Sequence, residues 1–198
     1  MNKTLAALVA SALIVGTASP AIAGWKLIEE DRPVKVAKSD MTVTPGEIWN
    51  RWTRRPVKQG ETWTRDGTPL NELYFVSGLP AGKTLYKDRQ KKDRPLPALA
   101  ATLDITEIPE FYESSTRLVL GTSVFEMTSI EPAKMGEYDA VKFEFEYSVD
   151  DSPLKRKGLA VGTMVKGELH LISFLAPATF FFERDRAEVE AIMASVQI

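Results

Sequence analysis

The chain contains one histidine, His170, which lies in the apolar run ELHLISFL. A histidine can act as a general base, and in a Ser-His-Asp triad it is oriented by a carboxylate and faces a serine on a sharp turn. No G-x-S-x-G motif is present in the sequence, which excludes a nucleophile elbow. A single histidine also cannot build a histidine-rich metal site. We therefore expect His170 to be a strand residue with ordinary hydrogen bonds.

Two carboxylates, Glu144 and Glu146, share one face of a predicted strand. Such a pair can supply the acid and the base of a glycosidase when a cleft fixes their separation. Nothing in the sequence indicates that cleft, so solvated strand carboxylates are the simpler interpretation. Gly158, Gly162 and Gly167 are spaced too widely for a phosphate-binding loop or a dinucleotide fingerprint. We therefore assign no catalytic, metal-binding or cofactor-binding residue.

Tryptophan and arginine are concentrated in WNRWTRRPVKQGETWTRDG, from Trp49 to Gly67. Aromatic rings with interleaved arginines can stack on sugars or bases. Trp63 shares one face of an alternating run with Glu61 and Arg65, so we expect it to be a partly exposed tryptophan, and we expect Trp49 to be substantially buried. Three arginines are expected to face solvent: Arg51, Arg54 and Arg55.

A second cationic stretch, KTLYKDRQKKDR from Lys83 to Arg94, holds six cations and two carboxylates. Pro95 and Pro97 follow it, which favours a solvated loop. A loop of this charge could also meet acidic lipid headgroups or an acidic partner. Together the two stretches give a candidate interaction surface, which consists of Trp63, Arg51, Arg54, Arg55, Lys87, Arg89, Lys91 and Lys92.

Helical periodicity is clearest in DITEIPEFYESSTRLVLG, from Asp104 to Gly121. Acidic residues and Pro109 suit its first turn, and Gly121 suits a left-handed cap at its end. A second helix is expected near the end of the chain, where Asp185 and Glu188 resemble a capping box. The apolar face of the first helix is predicted to lie on a sheet and comprises Ile108, Phe111, Tyr112, Ser115, Leu118 and Val119.

Strand patterns fill the rest of the chain. Residues 140–149 alternate strictly, with Lys142 and Glu144 among the side chains expected in water. Residues 123–130, 159–165 and 168–175 are predicted as neighbouring strands, the last two joined by a hairpin at Lys166-Gly167. Shorter strands are predicted at 34–37, 41–44, 61–65 and 72–77, and Pro45-Gly46 either begins a short helix or is a turn into a strand. The sequence thus predicts an α+β fold, an antiparallel sheet flanked by helices.

The first 23 residues have the layout of a secretory signal peptide, with cleavage expected after Ala23. Residues 24–198 would then form a single domain in the periplasm. No other apolar run is long enough to cross a bilayer, so we expect no transmembrane segment in the mature chain. The absence of cysteine excludes a disulfide scaffold and thiolate metal sites. With 25 cationic and 27 acidic residues, a general attraction to nucleic acid is not expected.

The order of these elements resembles the PsbP-like α/β/α sandwich. The resemblance rests on a helix like that of residues 108–120, a meander from 124 to 175, and a closing helix after Ala176-Pro177. The segment WTRDGTPLNELYFVSGLPAGKTL is also similar to part of some uncharacterised exported bacterial proteins. PsbP-like domains serve as accessory and assembly factors of membrane complexes, and nuclear-import factors of the same fold bind a small GTPase. The resemblance supplies no functional residue.

Three hypotheses follow. The first is a periplasmic accessory protein of the cell envelope, which binds a protein or another envelope component through an exposed apolar patch with a polar rim. The second is a small-molecule or lipid-binding module, which needs a closed apolar pocket of roughly several hundred Å³. The third is a hydrolase, in which His170 or paired carboxylates converge in a cleft. The partner and the oligomeric state are not indicated by the sequence.

Overall fold

The computed structural model describes residues 24–149, 152 and 154–198. The predicted signal peptide, residues 1–23, therefore lies outside the described residues, as do residues 150, 151 and 153. The strands in chain order are β1 (Trp25–Ile28), β2 (Val34–Lys35), β3 (Thr42–Val43), β4 (Trp49–Trp52), β5 (Gly60–Thr64), β6 (Glu72–Pro80), β7 (Val124–Met135), β8 (Tyr138–Ser148), β9 (Lys155–Val165) and β10 (Glu168–Pro177). The helices are α1 (Ile108–Leu120), which a 3-10 turn at Ile105–Glu107 precedes, and α2 (Phe181–Ala194).

Eight strands form one antiparallel sheet in the order β1-β4-β5-β6-β10-β9-β8-β7, and β2 pairs with β3 beside it. The four long strands β7 to β10 are the predicted meander, and a tight turn at Lys166-Gly167, where both residues have positive φ, joins β9 to β10. Pro45-Gly46 is a turn ahead of β4, so the short helix was the wrong alternative. The predicted α+β class is confirmed in its coarse form, since the sheet makes up most of the fold and only two helices accompany it in the described residues.

Helix α1 forms where its local signals predict it. The Asp104 side chain accepts a hydrogen bond from the Thr106 backbone N–H (3.1 Å), and the Glu107 side chain accepts one from the Asp104 N–H (2.8 Å). Gly121 ends the helix with a φ of 66°, which a residue without a Cβ adopts at little cost.

Helix α2 begins at Phe181, ahead of the predicted capping box. A γ-turn precedes it: Phe180 has φ 74° and ψ −65°, and the Phe181 N–H donates to the Thr179 carbonyl (3.1 Å). Asp185 and Glu188 are interior residues of the helix and contact other elements, so the predicted box is wrong. The three-residue spacing is the same in a first turn and in the middle of a helix, so it could not locate the start.

The two helices lie on opposite faces of the sheet. Buried residues of α1 pack on Val141, Phe143, Phe145 and Tyr147 of β8, whereas those of α2 pack on the β9 and β10 side chains of the other face. Gly158 of β9 allows Phe145 to lie directly on the backbone, because a Cβ there would be 2.1 Å from the Phe145 Cζ.

The polar face of β8 lies beneath α2, whereas the alternating pattern predicted that it would lie in water. Lys142 Nζ is 3.3 Å from Glu190 Oε1, and Glu144 pairs with Arg186. Both strand residues are half-buried. Alternation identifies a polar face, but here charged residues of α2 cover that face.

Candidate functional site

Two chain segments form the walls of an open groove at the end of β6. One is the turn between β4 and β5, residues 53–59, and the other is the loop that follows β6. Hydrogen bonds close this loop at its base, because the Gly82 N–H donates to the Leu99 carbonyl and the Leu99 N–H to the Lys83 carbonyl, both at 2.8 Å. These hydrogen bonds hold the two ends of the loop close together, as in an Ω-loop.

Tyr86 fixes the loop against the body of the protein. Its ring stacks on Tyr74 with centroids 5.5 Å apart, and its hydroxyl lies 3.0 Å from Thr116 Oγ1 of α1. The Tyr74 hydroxyl donates to the Leu85 carbonyl (2.9 Å). Burial raises the pKa of Tyr86 well above that of a free phenol, so the hydroxyl stays protonated. The wall that carries the cations is thus preorganised.

The groove contains two adjoining hollows, of about 1080 and 400 Å³. The larger runs between residues 55–59 and 80–84, and the smaller continues to Trp52 of β4 and to the last turn of α1. Four residues line both: Pro56, Tyr86, Lys87 and Asp88. We call the two hollows together the basic trough.

Positive charge dominates the lining of the basic trough. Its seven cationic residues are Arg55, Lys58, Lys83, Lys87, Arg89, Lys91 and Arg94. In the part of the chain that the structure describes, none of them forms an ion pair, although most arginines elsewhere do. The lining carboxylate, Asp88, accepts backbone N–H groups of Gln90 (3.1 Å) and Leu96 (3.2 Å). The trough therefore presents excess positive charge to a ligand.

The smaller hollow also has an apolar side. Leu118 and Val119 of α1 line it together with Leu96 and the Trp52 ring, which stacks on Trp25 with centroids 6.2 Å apart. Val119 is 48% exposed. One end of the trough thus combines cations with accessible apolar surface.

The structure brings four of the proposed surface residues together. Arg55, Lys87, Arg89 and Lys91 line the trough, and Arg54 and Lys92 are exposed but are not part of its lining. Sequence reasoning did not single out Lys58, or the contribution of α1. The cationic residues near Lys58 in the sequence could have indicated that Lys58 belongs to this surface. No local pattern connected α1 with the loop.

The predictions for Trp63 and Arg51 are wrong. Trp63 is fully buried, and its indole N–H donates to Glu61 Oε1 (2.7 Å). Arg51 is half-buried and donates to the Lys35 carbonyl (2.9 Å). The reason is the β2–β3 segment, which covers this face of β5; the Ala37 N–H also donates to Glu61 (3.0 Å).

The remaining exposure predictions for this stretch agree with the structure. Trp49 is fully buried, and its indole N–H donates to Glu188 Oε1 (3.2 Å). Arg54 and Arg55 are both exposed.

The structure places His170 in the sheet, away from the trough. His170 is buried in β10, and its Nδ1 lies 3.1 Å from Ser77 Oγ, within the sheet rather than on a sharp turn. Burial lowers the pKa of His170, with Glu168 acting in the opposite direction. The two β8 carboxylates considered for acid–base chemistry form ion pairs: Glu144 pairs with Arg186, and Glu146 Oε1 lies 3.9 Å from Lys157 Nζ. His170 and the β8 carboxylates do not line the trough.

In residues 24–149, 152 and 154–198, no three acidic or histidine side chains are grouped closely enough to hold a metal ion. Within those ranges neither helix has the length and apolar character needed to cross a membrane.

No protein-family model and no curated protein matches the chain. Among solved structures, the chain is similar to the type VI secretion immunity protein TplEi of Pseudomonas aeruginosa, with 12% identity, a TM-score of 0.42 and 76% of this chain covered. It spans 45% of that protein's chain.

Two other solved structures match over most of both chains. Cyanobacterial PsbP from Synechocystis has 16% identity and a TM-score of 0.43, with 88% of this chain and 82% of that chain covered. LpqN of Mycobacterium tuberculosis, a protein involved in cell envelope biogenesis, has 10% identity and a TM-score of 0.36, with 87% and 90% covered. The resemblance to PsbP-like proteins is thus found among solved structures as well.

Proposed function

We propose that this chain is an exported accessory protein of the cell envelope that acts by binding, and that the basic trough receives an acidic segment of an envelope protein. The observation that carries the proposal is the set of seven lining cations without ion pairs among the described residues. Export is inferred from the signal-peptide pattern of residues 1–23.

The shape of the trough favours a polymer segment over an enclosed small ligand. Sites for small molecules are usually cavities of about 300–1,000 Å³ that surround most of the ligand. The larger hollow, of about 1080 Å³, is open to solvent, and its walls carry exposed cations such as Lys83 and Lys91. An extended acidic chain can satisfy several of these charges at once.

A second candidate is an anionic lipid or small molecule. It is favoured by the smaller hollow, where Leu118 and Val119 lie beside Arg89 and Arg94. A headgroup could meet the arginines while apolar atoms contact α1. The hydrolase hypothesis has no comparable support, because His170 is buried and its ring forms a hydrogen bond with Ser77, with no carboxylate hydrogen-bonded to it among the described residues.

The test is recovery of the partner from envelope extract with residues 24–198 as bait. A trough variant carries Arg55→Glu, Lys87→Glu and Lys91→Glu. A matched control reverses three exposed cations elsewhere, Lys26→Glu, Lys155→Glu and Lys166→Glu, with the same change in net charge.

We expect the wild type and the control to retain one stoichiometric protein, which the trough variant loses and which raised salt releases. Equal recovery by the trough variant would contradict the proposal. Recovery of lipid or glycan alone would favour the second candidate.

A further inference from the structure

The last turn of α1 carries apolar surface that the sheet does not cover. The helical pattern predicted one buried face that includes Leu118 and Val119. Ile108, Phe111 and Tyr112 of this face are buried, whereas Leu118 is half-buried and Val119 is 48% exposed. The prediction is therefore wrong for the end of the helix, where the apolar face continues into the smaller hollow of the basic trough.

This exposed surface is grouped rather than scattered. Trp52, Leu96, Leu118 and Val119 all line one hollow of about 400 Å³. Single exposed apolar residues are normal on a protein surface, but a contiguous set rimmed by polar groups is typical of a contact site. Lys87 lines this hollow and the larger one, so the apolar surface adjoins the cationic surface.

We infer that the acidic segment carries a bulky apolar side chain, such as phenylalanine or leucine, which occupies the smaller hollow. This inference rests on the proposed function and names the kind of segment that the trough selects. Charge complementarity identifies the occupant as part of an acidic chain, because Lys87, Arg89 and Arg94 line the same hollow as the apolar surface. Among the described residues these three cations form no ion pair, and the carboxylate that lines the hollow, Asp88, accepts backbone N–H groups instead. The partner sequence should therefore place its apolar residue between aspartates or glutamates.

The expected gain follows from burial of one side chain. Complete burial of a large apolar side chain strengthens binding by about ten- to a hundredfold. The cations would supply attraction to any acidic segment, and the hollow would supply preference among such segments. The two contributions can therefore be measured separately.

Three synthetic peptides of equal length serve as probes. One alternates aspartate and glutamate around a central phenylalanine, the second has serine at the centre, and the third keeps phenylalanine but replaces the acidic residues by serine. Binding to residues 24–198 is measured by calorimetry. The variant Val119→Glu places a carboxylate in the hollow, and Val124→Glu is the matched control at a valine that is 56% exposed outside the trough.

We expect the acidic phenylalanine peptide to bind about ten- to a hundredfold more tightly than the acidic serine peptide. Val119→Glu should remove this ratio, and Val124→Glu should preserve it. The ratio between the peptides is the readout, because the added charge weakens both acidic peptides alike.

Three results would overturn the inference, and each leads to a different conclusion. Equal affinity for the two acidic peptides would show that the trough binds acidic segments without an apolar anchor, and the proposed function would stand. Equal binding of the uncharged phenylalanine peptide would show a plain apolar site. Binding of phosphatidylglycerol vesicles with no binding of either acidic peptide would overturn the proposed function as well.

Discussion

Asp185 joins α2 to the β5–β6 hairpin, and its removal should destabilise the protein strongly. Its carboxylate is fully buried and accepts hydrogen bonds from Arg65 Nη1 (2.8 Å), Arg184 Nε (2.7 Å) and Nη2 (2.8 Å), and Asn71 Nδ2 (2.8 Å). Because the carboxylate has no contact with water, these four donors supply its entire solvation.

The expected loss for Asp185→Ala is about 3 kcal/mol in the free energy of unfolding. An exposed ion pair contributes about 0–1 kcal/mol, whereas breaking a buried pair costs about 3–5 kcal/mol because a charge is left without a partner. We take the lower end of the range for a buried pair, because the Arg65 and Arg184 side chains are 24% and 29% exposed and water can partly solvate them once the carboxylate is removed.

Urea unfolding, followed by circular dichroism, gives the measurement. Asp66→Ala is the matched control: Asp66 contacts the same Arg184 and Asn71, but 34% of its side chain is exposed, so water can replace it. We expect this control to lose about 1 kcal/mol. The reasoning would be refuted if Asp185→Ala cost less than the control.

Three further predictions concern stability. Gly158→Ala should cost about 3 kcal/mol, because its Cβ would be 2.1 Å from Phe145 Cζ; a loss below about 0.5 kcal/mol would contradict this. Burial lowers the pKa of His170, so the unfolded chain takes up the proton first, and stability should fall as the pH drops below about 6.5. His170→Gln should remove that part of the pH dependence. If the unfolding free energy of this variant varied with pH as steeply as that of the wild type, the role assigned to His170 would be wrong. Phe180 has a φ of 74°, so Phe180→Gly should be about 1 kcal/mol more stable than Phe180→Ala, and the reverse order in urea unfolding would refute the strain.

Local signals were sufficient for α1 and for the strands of the meander. Pro109 and Gly121 mark the ends of the helix through backbone geometry alone, and strict alternation in residues 140–149 needs no knowledge of the rest of the chain. These features were predicted because their causes lie within a few residues.

The burial of Trp63 could not be predicted in the same way. Alternation placed it on a face with Glu61, but the cover of that face comes from residues 34–43, which are remote in sequence. A charged neighbour on the same face indicates solvent exposure only when no other segment of the chain supplies hydrogen-bond or ion-pair partners for that charge. Here the Ala37 backbone N–H and the Arg51 side chain contact the Glu61 carboxylate.

The candidate site was predicted in part. The charge of the loop from Lys83 to Arg94 is visible in the sequence, and so is that of Arg55. Periodicity shows which residues of α1 share a face, but not how far the sheet extends beneath that face. The exposed position of Val119, and with it the apolar side of the trough, therefore required the three-dimensional structure.

The placement of the four tryptophans gives the protein an intrinsic optical probe. Trp49 and Trp63 are fully buried away from the trough, so their emission should be insensitive to a ligand. Trp52 is partly exposed at the smaller hollow and lies 6.2 Å from Trp25, close enough for the two indoles to couple in near-ultraviolet circular dichroism. A ligand that enters this hollow should alter both the coupled signal and the accessibility of Trp52 to a quencher. Occupancy can thus be followed on the unlabelled protein.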